Sequence, residues 1–309
     1  MRRALQVWTE GFAFWVVLFS AAAWWMPAPF AALAPGIVPG LGVIMFGMGM
    51  SLLPGDFARV FKQPRAVACG VAGQFVVMPA IAWGIAHGLG MPPEIALGFI
   101  ILGCCPGGTA SNVIVYLSRG NVALSVTLTA CSTLLAVFLT PLLIWRLGGA
   151  IVPVDVWGLF KSVVTIVLVP VGAGLIVHRY LGRRADAINA AFPALSVLII
   201  VLVIAAIIAG AHDTLPQAGG ILAVGVLLHN ALGLALGYGL ARLCGLSARD
   251  CRTIAVEVGM QNSGLGVALA SKHFSAAVAL PSSIFSVVHN LTGSALANYW
   301  RRYAPGNDA

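Results

Sequence analysis

The stretch Glu257-Val258-Gly259-Met260-Gln261-Asn262-Ser263-Gly264 lies in the middle of an apolar block that runs from about residue 250 to about residue 271. Its glycines weaken a helix, and its polar side chains are costly in hydrocarbon unless they are paired or enclosed by protein. A second interruption, Cys105-Pro106-Gly107-Gly108-Thr109-Ala110-Ser111-Asn112, divides the block near residues 95–117, where proline also removes a backbone donor. We therefore predict two broken helices, whose unpaired backbone groups must line a cavity or be buried.

The rest of the chain consists of apolar blocks long enough to cross a membrane. The 309 residues are 60% hydrophobic and only 8% charged, which excludes a water-soluble fold. Blocks of about twenty residues match a helix that crosses ~30 Å of hydrocarbon, and the period-two alternation of a barrel strand is absent. We predict an all-α membrane protein with ten transmembrane helices, near residues 12–28, 32–53, 66–87, 95–117, 121–145, 157–178, 188–210, 217–241, 250–271 and 277–299.

The basic residues predict the orientation of these spans. If the N-terminus is cytoplasmic, only Arg146, Lys161 and Lys272 of the 17 Lys and Arg residues fall outside. This asymmetry follows the positive-inside rule and predicts a bacterial inner-membrane protein with both termini in the cytoplasm. It also explains the net charge of +8, so no nucleic-acid partner is expected. The bulky pair Trp24-Trp25 favours a retained first span over a cleaved secretory signal.

Two other sequence features predict packing rather than a separate site. The segment Phe46-Gly47-Met48-Gly49-Met50 indicates close helix packing rather than a phosphate loop. The cysteines form no CxxC pair and have no histidine at ligand spacing, so neither a disulfide framework nor a zinc site is predicted. They are Cys69, Cys104, Cys105, Cys131, Cys244 and Cys251.

The positions of matching features suggest two inverted repeats of five helices. Gln74 in the third span and His229-Asn230 in the eighth lie at similar depth, and the interruptions fall in the fourth and ninth spans. A five-plus-five division makes the second half enter the membrane from the opposite side, as in many secondary transporters. In such folds the N-termini of half-helices favour anions, whereas freed carbonyl groups favour cations.

Glu257 is the only acid that falls well inside a predicted span. A lone carboxylate there costs several kcal/mol, and no Lys or Arg shares its depth. Either Glu257 is protonated and hydrogen-bonded within the bundle, or it binds a cation. Oxygen ligands suit a hard cation, and the candidates are Ser111, Asn112, Ser125, Thr129, Gln74, Gln261 and the carbonyl groups of Val258 and Met260. The four-residue spacings of Ser125 with Thr129 and of Glu257 with Gln261 predict that each pair shares a helix face.

Polar residues that the cation does not need are candidates for contact with a transported solute. Thr109 lies at the first break, and His289-Asn290 lies in the middle of the tenth span. For His289, as for His229, packing between helices is an equally good explanation.

Two alternative functions use the same residues differently. A proton-coupled antiporter would usually place a second acid or a lysine beside Glu257. An intramembrane serine hydrolase would pair Ser263 with His289, but Gln261 occupies the position where a Gly-x-Ser-Gly motif needs its first glycine.

Four motifs together resemble those of the bile acid:sodium symporter family, most closely its bacterial members. They are Gly107-Gly108-Thr109-Ala110-Ser111-Asn112, Gly120-Asn121-Val122-Ala123-Leu124-Ser125, the stretch 257–264, and Phe285-Ser286-Val287-Val288-His289-Asn290. The resemblance covers nearly the whole chain and implies one membrane domain over residues 1–309, in which helices 4 and 9 cross at their breaks. It implies a panel of spans 1, 2, 6 and 7 (about 12–53 and 157–210) and a core of spans 3–5 and 8–10 (about 66–145 and 217–299).

The resemblance also implies which ligands are bound. It assigns a first Na⁺ site to Ser111, Asn112, Ser125, Thr129 and Glu257, and a second to Gln74, Glu257, Val258, Met260 and Gln261. It places Thr109, Asn262, Ser263, His289 and Asn290 near the solute. Members of this family carry bile acids, pantoate-like acids and other organic anions. The expectation is therefore a sodium symporter of a small organic anion, not an enzyme, with the lipid bilayer around it and no obligate protein partner.

Overall fold

The chain folds into helices throughout the part that the structure describes. The computed structural model describes residues 11–53, 55, 59–108, 110–182, 192–213 and 215–303. We number its main helices α1 Phe12–Trp25, α2 Pro27–Ser51, α3 Pro64–Gly88, α4 Pro93–Gly103, α5 Ser111–Leu117, α6 Val122–Gly148, α7 Val156–Leu181, α8 Phe192–Gly210, α9 Leu215–Leu243, α10 Ala248–Gly259, α11 Ser263–His273 and α12 Ala276–Tyr303. Within those ranges, pairing of extended backbone is limited to a single isolated bridge.

Six helices are long and apolar enough to cross a membrane, namely α2, α3, α6, α7, α8 and the part of α9 from Gly219 to Leu243. They coincide with six of the predicted spans, which confirms an all-α membrane protein. The first predicted span is a helix of 14 residues, and the tenth is a helix of 28 residues that contains Pro281. The fourth and ninth spans are each divided into two shorter helices, as their Pro and Gly residues predict.

Helices α1, α2, α7 and α8 pack against one another through small residues. Helix α2 contacts α7 and α8, and α8 also contacts α1. A Cβ added at Gly49 would lie 2.1 Å from the carbonyl oxygen of Val171, and one added at Gly174 would lie 2.2 Å from that of Phe46. The backbones of α2 and α7 therefore touch, which confirms that the Gly-rich segment Phe46–Met50 serves close helix packing.

The remaining helices surround the two breaks. Helix α9 packs along α10, α12 packs against α4, α5, α9 and α11, and α6 contacts α3, α4, α5 and α10. Large apolar side chains such as Phe14, Val76 and Phe138 are more than half exposed on the outside of the bundle, which suits a lipid environment. All six cysteines carry free thiols.

Candidate ion and solute site

The two breaks meet in the interior through backbone hydrogen bonds. Gly107 and Gln261 form an isolated antiparallel bridge. The Gly108 N-H donates to the Met260 carbonyl at 2.7 Å, and the Asn262 N-H donates to the Pro106 carbonyl at 2.8 Å. Backbone groups that neither broken helix can satisfy internally are thus paired across the crossing, which meets the cost of burying them.

This crossing requires a residue without a side chain at position 108. A Cβ there would lie 2.6 Å from the carbonyl oxygen of Gln261 and 3.3 Å from that of Met260. Gly107 also faces the site, since its N-H donates to Ser132 Oγ at 3.3 Å. The Gly107-Gly108 pair therefore permits the close approach of the two chains, in addition to ending the helix.

Glu257 lies beside the crossing, is 3% exposed and accepts three hydroxyl hydrogen bonds. Ser111 Oγ and Ser125 Oγ each donate to Oε1 at 2.5 Å, and Thr129 Oγ1 donates to Oε2 at 2.8 Å. Ser125 and Thr129 reach the same carboxylate from α6, as their four-residue spacing predicts. Among the residues that the structure describes, no cationic side chain pairs with Glu257, and its side-chain hydrogen-bond partners are three hydroxyl groups.

The fifth residue of the expected first site is close to the same carboxylate. Ser125 Oγ also lies 2.7 Å from Asn112 Oδ1, so this amide oxygen is next to the oxygens around Glu257. The spacing argument for Glu257 and Gln261 is wrong, however. Helix α10 ends at Gly259, and Gln261 lies in the extended backbone of the break. The glycine at 259 and the bridge at 261 replace the helical turn that the argument assumed.

Gln74 and Gln261 form a second polar group at the crossing. Gln74 Nε2 donates to Gln261 Oε1 and to the Cys105 carbonyl, both at 2.7 Å, and Gln261 Nε2 donates to the Val258 carbonyl at 3.2 Å. Gln74 lies in a π-helical turn, Gly73–Val77, which interrupts the regular hydrogen bonding of α3. With both hydrogens of Nε2 engaged, the carbonyl oxygen of Gln74 is the atom available to a cation.

The two carbonyl groups of the expected second site already accept one hydrogen bond each. The Met260 carbonyl accepts from Gly108 N, and the Val258 carbonyl accepts from Gln261 Nε2. Each carbonyl oxygen retains a second lone pair, so both can still bind a cation. The nine residues predicted as ion ligands thus fall into two neighbouring groups that share the crossing.

A partly open cavity lies next to the crossing. One wall is apolar and comes from α2 and α8, with Leu41, Ile44, Met45, Ile200, Val203 and Ile204. The opposite wall carries Gly108, Ala110, Gln261, Asn262, Ser263, Gly264, Val267, Ser286, His289 and Asn290. Four of the five predicted solute contacts line it. The fifth, Thr109, lies outside the described residues, although its neighbours Gly108 and Ala110 line the cavity.

His289 in the polar wall has a ring nitrogen with no hydrogen-bond partner among the residues that the structure describes. His289 is 4% exposed, and its Nδ1 atom makes no hydrogen bond. By contrast, Asn262 Oδ1 accepts from Leu265 N at 3.1 Å, and Asn290 Nδ2 donates to the Ser286 carbonyl at 2.7 Å. A buried ring nitrogen without a partner is costly, and a polar ligand or a buried water beside the ring would offset that cost.

The sequence is similar over almost its whole length to proteins named as sodium-dependent transporters or cotransporters. The profile of the Sodium Bile acid symporter family matches residues 38–218. An uncharacterized sodium-dependent transporter, YocS of Bacillus subtilis, is 45% identical over 95% of this chain and 91% of its own length. The probable chloroplastic sodium/metabolite cotransporter BASS1 of Oryza sativa is 40% identical, over 98% of this chain and 75% of its own. The chain belongs to the sodium bile acid symporter family.

In this family member, two polar residues that bind the backbone of the breaks were not among the ligands predicted from the sequence. Asn230 Nδ2 donates to the Gly259 carbonyl at 2.9 Å, and its Oδ1 accepts from Thr292 Oγ1 at 2.6 Å, so α9 and α12 both hold the second break. Ser132 binds the first break through Gly107 N. The predicted correspondence in depth between Gln74 and His229-Asn230 was the signal available in the sequence.

The geometry of Ser263 differs from that of a serine hydrolase. Its Oγ pairs with Ser286 Oγ at 2.6 Å, whereas Nδ1 of His289 has no partner. The two relatives described above are named as a sodium-dependent transporter and a probable sodium/metabolite cotransporter. Both observations favour transport over catalysis for this member of the sodium bile acid symporter family.

Proposed function

We propose that this chain is a sodium-coupled symporter that carries a small organic anion, such as a bile acid or a pantoate-like acid, together with two Na⁺ ions. The observation that carries this proposal is the buried Glu257, which is surrounded by Ser111, Ser125 and Thr129 oxygens and has no cationic partner in the described part of the chain. A hard cation among these oxygens would replace the three hydroxyl donors as the partner of the carboxylate. The family and the relatives named above support Na⁺ as that cation.

Sodium binding would make anion binding possible by removing the negative charge beside the cavity. An uncompensated Glu257 opposes an anion in the neighbouring cavity, because charges in a low-dielectric interior interact strongly. Once Na⁺ neutralises the carboxylate, that opposition ends. Because coupling free energies are reciprocal, the anion should raise sodium affinity by the factor by which sodium raises the anion's affinity.

Uptake into proteoliposomes tests the coupling and the class of solute. Labelled bile acid and labelled pantoate would be supplied outside, under an inward gradient of Na⁺, an equal gradient of K⁺, or a pH gradient alone. Accumulation of either anion that requires Na⁺ supports the proposal. Uptake driven by the pH gradient without sodium would instead identify a proton-coupled carrier, and equal uptake in Na⁺ and K⁺ would contradict sodium coupling.

If the second sodium site is present, the substitution Gln74→Ala should change how uptake depends on the sodium concentration. Removing the amide takes away one ligand and the bond that holds Gln261, but leaves the hydroxyl groups around Glu257 in place. We expect the Hill coefficient for sodium in uptake to fall from above 1 to about 1, because one of two coupled sites is lost. A variant that transports with an unchanged Hill coefficient would contradict the two-site assignment.

His289→Ala is expected to weaken solute binding without affecting sodium binding. A hydrogen bond from the ring to a charged solute contributes about 1.5–3 kcal/mol, so we expect the KM for the anion to rise roughly tenfold to a hundredfold. Stabilisation of the protein by Na⁺ alone, measured as the shift in Tm, should match that of the unmodified chain. His87→Ala is the control, since His87 is exposed and stacks on Trp83. Equal KM values for the two variants would exclude His289 from the solute site.

We also infer a topology of ten spans with both termini in the cytoplasm of a bacterial inner membrane. Contacts between segments that this topology places on the same side support it. Asn121 Nδ2 donates to Asp250 Oδ1 at 2.8 Å between two segments predicted to be cytoplasmic. Ser275 Oγ donates to Glu94 Oε1 at 2.8 Å between two segments predicted to lie outside.

Two inverted repeats and a division into panel and core form part of the same proposal. Gln74 in α3 binds the Cys105 carbonyl at the first break, and Asn230 in α9 binds the Gly259 carbonyl at the second, which is the equivalence expected of repeats. The mutual packing of α1, α2, α7 and α8 supports a panel. Access to the solute cavity would then alternate as the panel, which supplies its apolar wall, moves against the core.

A further inference from the structure

The turn before α6 is bonded to the beginning of α10, close to the ion ligands but outside them. The Asn121 N-H donates to Thr253 Oγ1 at 2.7 Å, and Asn121 Nδ2 donates to Asp250 Oδ1 at 2.8 Å. Arg249 Nε donates to the Gly120 carbonyl at 3.3 Å. We call these five residues the brace, and none of them is a predicted ion ligand or solute contact.

The brace lies one helical turn away from the contact between Ser125 and Glu257. Asn121 caps α6 and precedes Ser125 by four residues, and the Ser125 N-H donates to the Asn121 carbonyl at 3.0 Å. Thr253 likewise precedes Glu257 by four residues within the uninterrupted α10. Four residues of helix advance about 6 Å. The contact of the brace and the contact at Glu257 therefore follow each other along the same two helices, α6 and α10.

The Thr253 hydroxyl is fully used in holding these helices together. It accepts from the Asn121 N-H and donates to the Arg249 carbonyl at 3.1 Å, and Thr253 is 0% exposed. A Cβ added at Gly120 would lie 2.8 Å from Thr253 Oγ1, so the turn fits closely against α10. Without the hydroxyl, the backbone N-H of Asn121 would lose its acceptor, which is costly away from water.

The Asn121 side chain makes the position of α6 depend on that of α10. Its Oδ1 accepts from the Leu124 N-H at 3.2 Å and so caps α6, while its Nδ2 binds Asp250 in α10. Arg119, two residues earlier, has a φ of 56°, in the left-handed region that residues with a side chain rarely adopt. The turn is therefore held by its bonds, and α6 cannot shift along α10 without breaking them.

We propose that Asn121 and Thr253 are positioning residues for Na⁺ that do not touch the ion. By fixing α6 against α10 one turn away, they hold the Ser125 hydroxyl at Glu257 and so raise the affinity for sodium. Groups that orient metal ligands without binding the metal typically change its affinity by roughly tenfold to a hundredfold. This inference rests on the proposed sodium site at Glu257, which the sodium response of the unmodified chain tests separately.

Thr253→Val tests this role, because valine keeps the shape of threonine but removes the hydroxyl. Sodium affinity would be measured from the rise in Tm with Na⁺ concentration, and the KM for sodium and the maximum rate from uptake into proteoliposomes. We expect the affinity to fall roughly tenfold, and the maximum rate at saturating sodium to stay within about twofold. Thr253→Ser, which restores the hydroxyl, should recover most of the affinity.

Thr140→Val is the matched control. Thr140 is also buried, and its hydroxyl joins α6 to the end of α4 through a bond to the Cys104 carbonyl at 2.6 Å. It lies about three turns beyond Thr129 along α6. Its substitution should therefore lower the Tm, as the loss of any buried hydrogen bond between helices does, but leave sodium affinity unchanged.

Asp250→Ala is a second variant, which removes the acceptor of Asn121 Nδ2 and leaves the buried position 253 intact. We expect sodium affinity to fall about threefold, as for one lost hydrogen bond. Equal sodium affinities in Thr253→Val and Thr140→Val, or no recovery in Thr253→Ser, would overturn the positioning role. If Thr253→Val does not fold, an unchanged affinity in Asp250→Ala would overturn it alone. An unmodified chain that does not respond to sodium would contradict the proposed function itself, and this inference with it.

Discussion

Glu257→Gln is expected to abolish sodium-dependent uptake and sodium binding while the protein still folds. Glutamine has nearly the same shape and can still accept the hydroxyl bonds of Ser111 and Ser125, but it carries no charge to attract a cation. Breaking a buried charge pair costs about 3–5 kcal/mol, which corresponds to a loss of sodium affinity of roughly a hundredfold or more. The measurements are uptake under a sodium gradient and the rise in Tm on adding Na⁺.

Glu94→Gln is the matched control for that experiment. Glu94 lies at the first turn of α4 and bonds Ser275, outside the crossing, so its neutralisation should leave both measurements unchanged. A Glu257→Gln protein that is still stabilised by Na⁺ to the same extent would remove the basis of the proposed ion site. Because the carboxamide relieves the cost of a buried charge, the variant should be as stable as the unmodified chain, or more so, when sodium is absent.

Gly108→Ala is expected to disrupt the crossing itself. The added Cβ would lie 2.6 Å from the Gln261 carbonyl oxygen, and that atom is backbone, so it cannot move aside as the end of a flexible side chain could. We expect a loss of about 3 kcal/mol, the upper end of the cost of overpacking, and no measurable uptake. Thermal unfolding in detergent, together with the transport assay, measures both effects.

Gly239→Ala provides the comparison for this substitution. Gly239 lies within α9, and a Cβ there would have no other atom within 4 Å. Alanine should therefore be neutral, or should stabilise the helix by up to about 1 kcal/mol. If the two alanine variants behaved alike, the close approach of the two breaks would not be a requirement of the fold.

The breaks were predictable from sequence because their causes are local. Pro106 and its neighbouring glycines end a helix wherever they occur, and Glu257 is conspicuous because a carboxylate in an apolar span requires a partner. The four-residue spacing of Ser125 and Thr129 also holds, because both lie within the uninterrupted α6. Each of these signals depends on residues no more than a few positions apart.

What could not be predicted depends on contacts between distant parts of the chain. The bridge between Gly107 and Gln261 joins residues from different halves, and no local pattern specifies it. The same holds for the bond from Asn230 to Gly259. The π-helical turn around Gln74 has no Pro within it, so no residue inside the turn marks it in the sequence. For Gln261, periodicity was wrong because the helix had already ended.

The two breaks are joined through main-chain atoms. This junction can therefore stay the same while the side chains of the cavity wall change. Bonds from Gly108 N to the Met260 carbonyl, and from Asn262 N to the Pro106 carbonyl, do not depend on the side chains of the four residues, provided that position 108 stays small. Mutations in the apolar cavity wall on α2 and α8 can therefore accumulate without disturbing the backbone that carries the proposed cation ligands. Proteins that descend from one ancestor can in this way change the solute that they bind while they retain the proposed coupling to sodium.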